Sequence, residues 1–299
     1  MTAVRCGCVN MTDSSSKAVR VGIEGVFYSL AHVPDLVRYG SKPSRELRAN
    51  TALEPQLKNQ LRSFSAATAY APHQVYIGNI TPAELSNLPK PWYDKLIEGA
   101  TSNGRFGDLV DQDRFYGQLA GADQFNLVTL EEKWFQEHAA KNPNRKPPRL
   151  GPVAEITALC EKGALGLYSG ERLVGAFEPG HAEDASLTAD VLLENLAAKV
   201  TAAHSLGSLL NALKLNPEEI DFVISCSEEA VGDRYNRGGG NLAKAVAEEV
   251  GCANASGSDV KAFCAGPLYG MSSRREPDPI GCLSIKLLSS PADRSPSSA

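Results

Sequence analysis

Long apolar runs are missing. No stretch of the 299 residues approaches the roughly 18 consecutive apolar side chains that a helix needs to cross a bilayer, which excludes a helical membrane span. Residues 1–17 hold no apolar centre behind a basic start, so no secretory signal is read there and a cytoplasmic location is expected. An excess of positive charge is also lacking. Lys and Arg number 30 against 35 Asp and Glu, for a net charge of −5, which argues against nucleic acid or an anionic membrane as the main partner. The seven cysteines include no C-x-x-C pair. An odd count without that spacing signals neither a zinc site nor a disulfide framework, so reduced thiols and no metal are expected. Cys6 and Cys8 are two apart in a polar extension and read as tail residues rather than ligands.

Phosphate-loop patterns are absent too. Neither G-x-G-x-x-G nor G-x-x-x-x-G-K-[ST] occurs. The triple glycine 238–240 stands before a helix and suits either a phosphate cradle or a flexible turn. What remains is ordinary globular material, 42% hydrophobic and 22% charged, long enough for one large or two modest domains.

One stretch carries the chemistry, residues 258–271. A β-type run (Val260, Ala262, Phe263) stops at Cys264, small residues follow, and Pro267 fits a first helical turn, which has no use for a proline's missing N–H. The pattern predicts strand, elbow, helix, with a thiol at the helix start. Backbone N–H groups and the helix dipole stabilise a thiolate at such a place and can hold an oxyanion. Cys264 therefore suits a nucleophile. It equally suits a small buried residue, as most cysteines are.

The rest of the chain arranges itself around that elbow. Residues 1–17 are polar, end in Ser14-Ser-Ser16 and read as a disordered extension, with Met11 as good a start as Met1. Residues 18–271 read as the folded unit. Val19, Val21 and Ile23, then Val26 and Phe27, alternate as a buried strand leading to His32-Val-Pro34-Asp35, where His32 reads as a strand-end residue. From about 45 to 180 prolines chop the pattern into short elements, an irregular insertion. Within it Gln74-Val-Tyr-Ile-Gly78 reads as a strand, Thr81-Pro82-Ala-Glu84 as a capped helix start, Gly104-Arg-Phe-Gly107 as a turn whose glycines allow positive φ, and 125–130 as a strand. Asn142-Pro-Asn-Arg-Lys-Pro-Pro148 reads as an exposed connector. Thr188 is placed to cap a long helix whose Leu192, Leu196, Val200, Ala203, Leu206, Leu210 and Leu213 form one apolar stripe, with His204 beside it as a structural residue. A turn at Asn216-Pro217, a strand over 220–225 and a helix carrying Leu242, Val246 and Val250, stopped by Gly251, follow. This alternation predicts an α/β fold with a mostly parallel sheet covered by helices. After Met271 come Arg274-Arg-Glu-Pro-Asp-Pro279 and a Ser/Pro-rich end. Residues 272–299 read as an aberrant, largely disordered tail of the kind a frameshift or early stop produces, with 280–288 as an irregular strand.

Residues 188–271 resemble the N-terminal half of a thiolase-superfamily enzyme of the ketoacyl synthase III branch, in the order long helix, Glu218-Glu-Ile-Asp221, strand, short helix, Asp259-Val-Lys-Ala-Phe-Cys-Ala-Gly266. Nearly all of 19–271 is similar to the beta subunit of component C of glycine/sarcosine/betaine reductase complexes. The segments that carry this are Ala31-His-Val-Pro-Asp35, Pro72-His-Gln-Val-Tyr-Ile-Gly-Asn79, Pro91-Trp-Tyr-Asp94, Gly104-Arg-Phe-Gly107, Ser225-Cys-Ser-Glu-Glu-Ala-Val-Gly-Asp-Arg234, Arg237-Gly-Gly-Gly-Asn-Leu-Ala-Lys244 and Cys264-Ala-Gly-Pro267. The block 45–180 is then the family's own insertion into a thiolase-like half.

The resemblance implies a function. Such a complex leaves a carboxymethyl group on a selenoprotein, and component C takes up the resulting acetyl unit and releases it as acetyl phosphate. Cys264 matches the superfamily's acyl-accepting cysteine, and a thioester suits transfer onward to phosphate. The implied partners are the component C alpha subunit and the selenoprotein; no bound cofactor is implied, and phosphate is a co-substrate of the complex. The resemblance also implies a second half bringing a histidine to face the cysteine. This sequence holds no such half, and His32, His73, His138, His181 and His204 all lie upstream, so the isolated chain is expected to be inactive. Two other readings stand beside this one: a non-catalytic scaffold subunit of the same complex, and a freestanding ketoacyl-synthase-like acyltransferase.

Overall fold

The computed structural model describes residues 2–8, 21–39, 46–47, 49–93, 95–139, 147–180, 187–226, 241–260, 262–272 and 281–285. Eleven strands are found among them: β1 (Thr2–Cys8), β2 (Val21–Ala31), β3 (Asn103–Gly104), β4 (Gly107–Val110), β5 (Val128–Glu131), β6 (Arg149–Gly151), β7 (Leu165–Ser169), β8 (Arg172–Phe177), β9 (Phe222–Cys226), β10 (Ser256–Val260) and β11 (Gly281–Ile285). They form two sheets, a larger one of order β10-β9-β11-β1-β2-β4-β3 and a smaller one of order β6-β5-β8-β7. The α/β class expected from the alternation is present. Parallel pairing joins β10 to β9, β9 to β11 and β2 to β4, whereas β1 is antiparallel to both of its neighbours. The helix Leu242–Val250 lies between β9 and β10 in the chain, as a parallel crossover requires.

Two terminal segments lie inside the larger sheet. Thr2–Cys8, within the extension 1–17 that composition marks as unstructured, is β1, and Gly281–Ile285, within the irregular strand expected over 280–288, is β11. The physical reason is pairing. β1 is flanked by β11 and β2, and β11 by β9 and β1, so backbone groups on both edges find partners far along the chain. Composition weighs only local apolar content and has no access to such pairing. Cys6 and Cys8 accordingly sit on a strand.

The stretch 45–180 contributes to both sheets. Its β3 and β4 extend the larger sheet beyond β2, and its β5 to β8 make up the smaller one. Gln74-Val-Tyr-Ile-Gly78, expected as a strand, is instead the end of a helix, Ala71–Tyr76. Pro72 sits in its first turn with φ preset for helix, and two apolar β-branched residues are too few to overrule it. Gly78 then leaves the helix at φ 86, with the Asn79 N–H donating back to the Gln74 carbonyl at 2.8 Å. The next helix, Pro82–Asn87, starts as expected. The Thr81 side chain accepts from the Glu84 N–H and the Glu84 carboxylate from the Thr81 N–H, a complete capping box.

The glycines of Gly104-Arg-Phe-Gly107 serve a different purpose from the positive φ expected of them; neither has it. They close the β3–β4 hairpin against other backbone. A methyl group on Gly107 would collide with the Tyr28 carbonyl oxygen on β2, and one on Gly104 with that of Ile77. Gly107→Ala is therefore expected to cost about 2 kcal/mol through forced separation of β2 and β4, read as a lower urea midpoint at unchanged slope.

The long helix runs Ala189–Leu213 and ends at Lys214 in the left-handed region, φ 54. Thr188 occupies its N-cap position with extended backbone, but the hydroxyl makes no capping hydrogen bond, contrary to expectation. Tertiary burial makes that loss tolerable. Leu192, Leu193 and Val200 sit in a core with Phe115, Leu130, Trp134, Leu167 and Phe177. Ala203, Leu206, Leu209 and Leu210 sit in a second core with Val223, Val246 and Cys252. At about 2 kcal/mol for each fully buried leucine, this one helix anchors both. Lys199 lies where the two meet, donating to the Ala122 carbonyl at 3.1 Å and pairing with Glu249 at 2.9 Å.

Candidate functional site

Cys264 sits at an elbow as the sequence predicts. After β10 a single 3-10 turn, Phe263–Ala265, carries the chain into the helix Gly266–Ser272. The Ala265 N–H donates to the Ala262 carbonyl at 3.0 Å, which tightens the turn. Gly266 is buried against β9: a Cβ there would stand 3.3 Å from Cys226 Cβ. This close approach of backbone to sheet lets the elbow bend with the Cys264 side chain on the outside, where it is exposed. Behind it, the Asp259 carboxylate of β10 accepts from the Leu242 and Ala243 N–H groups, both at 2.9 Å, and the Asn241 side chain caps the same helix start. The elbow thus follows a strand whose end nearest to it is tied to that helix start.

The other described thiols sit in different surroundings. Cys226 is buried at the end of β9, and burial followed by the nearby Asp259 charge pushes its thiol up to about 11. Cys252 is buried in the second core, and Cys160 is half-buried, its thiol raised by desolvation. A protonated thiol is a poor nucleophile, so Cys226 is inert by environment and Cys264 is the accessible candidate. Leu268 and Tyr269, on the helix that follows, are exposed at 66% and 61%.

The structural reading of His204 holds, though its partners were not foreseen. His204 Nε2 lies 2.7 Å from Asp108 Oδ2 and its Nδ1 lies 3.2 Å from Gln118 Nε2. Ser29 Oγ donates to Asp108 Oδ1 at 2.8 Å, and the Arg114 guanidinium approaches the same carboxylate at 4.0 Å. Burial alone would raise the Asp108 carboxyl. The hydrogen bond and charge of His204, then Ser29 and Arg114, outweigh it and hold the carboxyl below its usual range. The signal in the sequence was an aspartate between Gly107 and Leu109 in an otherwise apolar strand. His138 stacks on Trp134 at 5.5 Å. His181 and the triple glycine 238–240 lie outside the described residues, as does most of the connector 142–148.

Among the described residues no group of three or more His, Cys, Asp or Glu side chains could hold a metal ion, and no helix is long and apolar enough to cross a membrane. No protein-family model matches the chain. A priming β-ketosynthase from the R1128 polyketide biosynthetic pathway is similar in structure over 33% of this chain and 24% of its own, at 23% identity and a TM-score of 0.22. The sequence match is far broader. The "Glycine/sarcosine/betaine reductase complex component C subunit beta" of Peptoclostridium acidaminophilum is 38% identical over 265 residues, covering 83% of this chain and 51% of that relative. On this match most of the chain is similar to the component C beta subunit of a glycine/sarcosine/betaine reductase complex, and it spans about half the length of that relative.

Proposed function

We propose that the chain serves as a cytoplasmic, acetyl-handling subunit of a glycine/sarcosine/betaine reductase complex, with Cys264 as the acyl acceptor. The observation that carries this reading is the 38% identity over 265 residues to a component C beta subunit. The exposed position of Cys264 at a strand-to-helix elbow supports the assigned role. In this reading the selenoprotein and its reductant first break the carbon–selenium bond and bring the carboxymethyl group to the acetyl level, and the Cys264 thiolate then attacks the carbonyl carbon of the activated acetyl group so formed. The leaving group departs with its bonding pair, and the acetyl unit rests as a thioester. A phosphate oxygen then attacks the same carbon, expelling the thiolate and releasing acetyl phosphate. The component C alpha subunit and the selenoprotein are the partners, and the alpha subunit supplies the phosphate step.

Iodoacetamide labelling of the full chain, read by peptide mass spectrometry, tests the nucleophile. Cys264 is expected to react at least about tenfold faster than Cys226 and Cys252, since alkylation follows access and thiolate fraction. Equal rates at all three would remove the role. Combining the chain with the other components tests the rest: Cys264→Ala should abolish acetyl phosphate formation. Unchanged activity in that variant would favour a scaffold subunit instead.

A further inference from the structure

Two of the segments that carry the family resemblance, around His32 and around His73, are some forty residues apart in the chain and have no part in the elbow. They meet in space. His32 follows β2, with its N–H held by the Val110 carbonyl at 2.9 Å, and its ring lies 6.1 Å from that of Phe64. Arg62, just before the helix Phe64–Ala69, sets its guanidinium 4.1 Å above the Tyr70 ring. His73 meets the same ring edge-on at 5.0 Å, and its Nδ1–H donates to the Ala67 carbonyl at 2.7 Å. These five side chains are all half-buried, neither sealed in a core nor free in solvent.

The chemistry of the cluster is lopsided. His32 Nδ1 is buried and has no hydrogen-bond partner among the described residues. Burial, then the neighbouring His73 and Arg62, disfavour a charge on His32, and only Asp35 opposes them. The Asp35 carboxylate is already occupied: its Oδ2 accepts from Gln112 Nε2 and from the Gly170 N–H, both at 2.8 Å. Arg62 makes no ion pair among the described residues. A guanidinium beside two imidazoles repels a metal cation. It favours an anion, which would supply the acceptor that the group lacks.

We propose that His32, Arg62 and His73 form a binding site for a small oxyanion, a carboxylate or a phosphate, with Phe64 and Tyr70 as its walls. The oxyanion accepts from the Arg62 guanidinium and from His32 Nδ1, which takes up a proton to donate. Affinity therefore rises as pH falls from 8 to 6. The site is independent of the acyl reading of Cys264 and stands whether or not that residue carries a thioester.

The test is a titration of the full chain with sodium acetate and, separately, with inorganic phosphate at constant ionic strength, chloride being the control. Histidine nitrogen shifts are followed by NMR at pH 6 and pH 8. A saturable shift at His32 Nδ1 is expected with at least one of the two anions and not with chloride. Saturation at pH 6 should need about tenfold less anion than at pH 8, and Arg62→Gln should weaken it about tenfold, the value of one charge-assisted hydrogen bond. A stronger response to acetate identifies a carboxylate site, and a stronger response to phosphate a phosphate site. A His32 signal indifferent to both anions in the unmodified chain overturns the proposal, as does an undiminished response in Arg62→Gln.

Discussion

Trp134→Ala is expected to lower the free energy of unfolding by about 4 kcal/mol, the cost of emptying a large aromatic site in a packed core. The indole is 1% exposed, tilted against Tyr116 at 6.2 Å and stacked on His138 at 5.5 Å. Its backbone N–H is held by Glu131 Oε2 at 2.7 Å, which fixes the helical turn following β5. Trp134→Phe should cost far less than the volume lost suggests. The indole Nε1–H is buried with no acceptor among the described residues, and phenylalanine removes that donor while keeping a ring. Urea denaturation followed by circular dichroism measures both variants. Equal losses for Ala and Phe would contradict this account, since packing and the orphaned donor predict opposite trends for the second change.

The second large effect concerns Asp108. Asp108→Ala strips His204, Ser29 and the nearby Arg114 of a common acceptor, and removing one partner of a buried pair costs about 3 kcal/mol. The side chains of Asp108 and His204 are only 9% and 11% exposed, so solvent does little to replace the lost contact. The effect is pH-dependent with a definite sign. The folded carboxyl is held below its unfolded value of about 4, so the unfolded chain binds the extra proton first. The stabilisation from Asp108 is complete above that value and is lost as pH falls through the lower folded one. Asp108→Asn, which keeps the shape and loses the charge, should flatten the stability profile below about pH 4 while the unmodified chain slopes downward.

What could be read from the sequence follows from the range of each interaction. The long helix was legible because its stripe repeats at three and four residues and its burial follows directly. The capped helix start at Thr81, the turn at Asn216 and the Gly251 stop were legible because all their partners lie within a few residues. The elbow at Cys264 was legible for the same reason. The helix at 71–76 was misread because Val75 and Ile77 suggested a strand, whereas Pro72 decided the backbone. β1 was missed because it is held by β11 at the opposite end of the chain and by β2, and it has no strong pattern of its own, whereas the apolar patch that carries β11 was legible as an irregular strand. The Asp108 network was hidden for a related reason. Its members come from β2, β4, the helix Gln112–Ala122 and the long helix, and no local spacing links them.

The long helix also limits how this molecule can be dissected. At 25 residues it is a rod of about 37 Å, its first half seated among side chains from 110–177 and its second among those of β9 and the helix after it. A clone ending near residue 180 would leave Phe115, Leu130 and Phe177 without the leucines that roof them. A clone beginning at the helix would expose those same leucines to water. The stretch 45–180 is continuous in sequence yet inseparable in substance, and excising it as a cassette should yield aggregates from both pieces rather than two tractable domains.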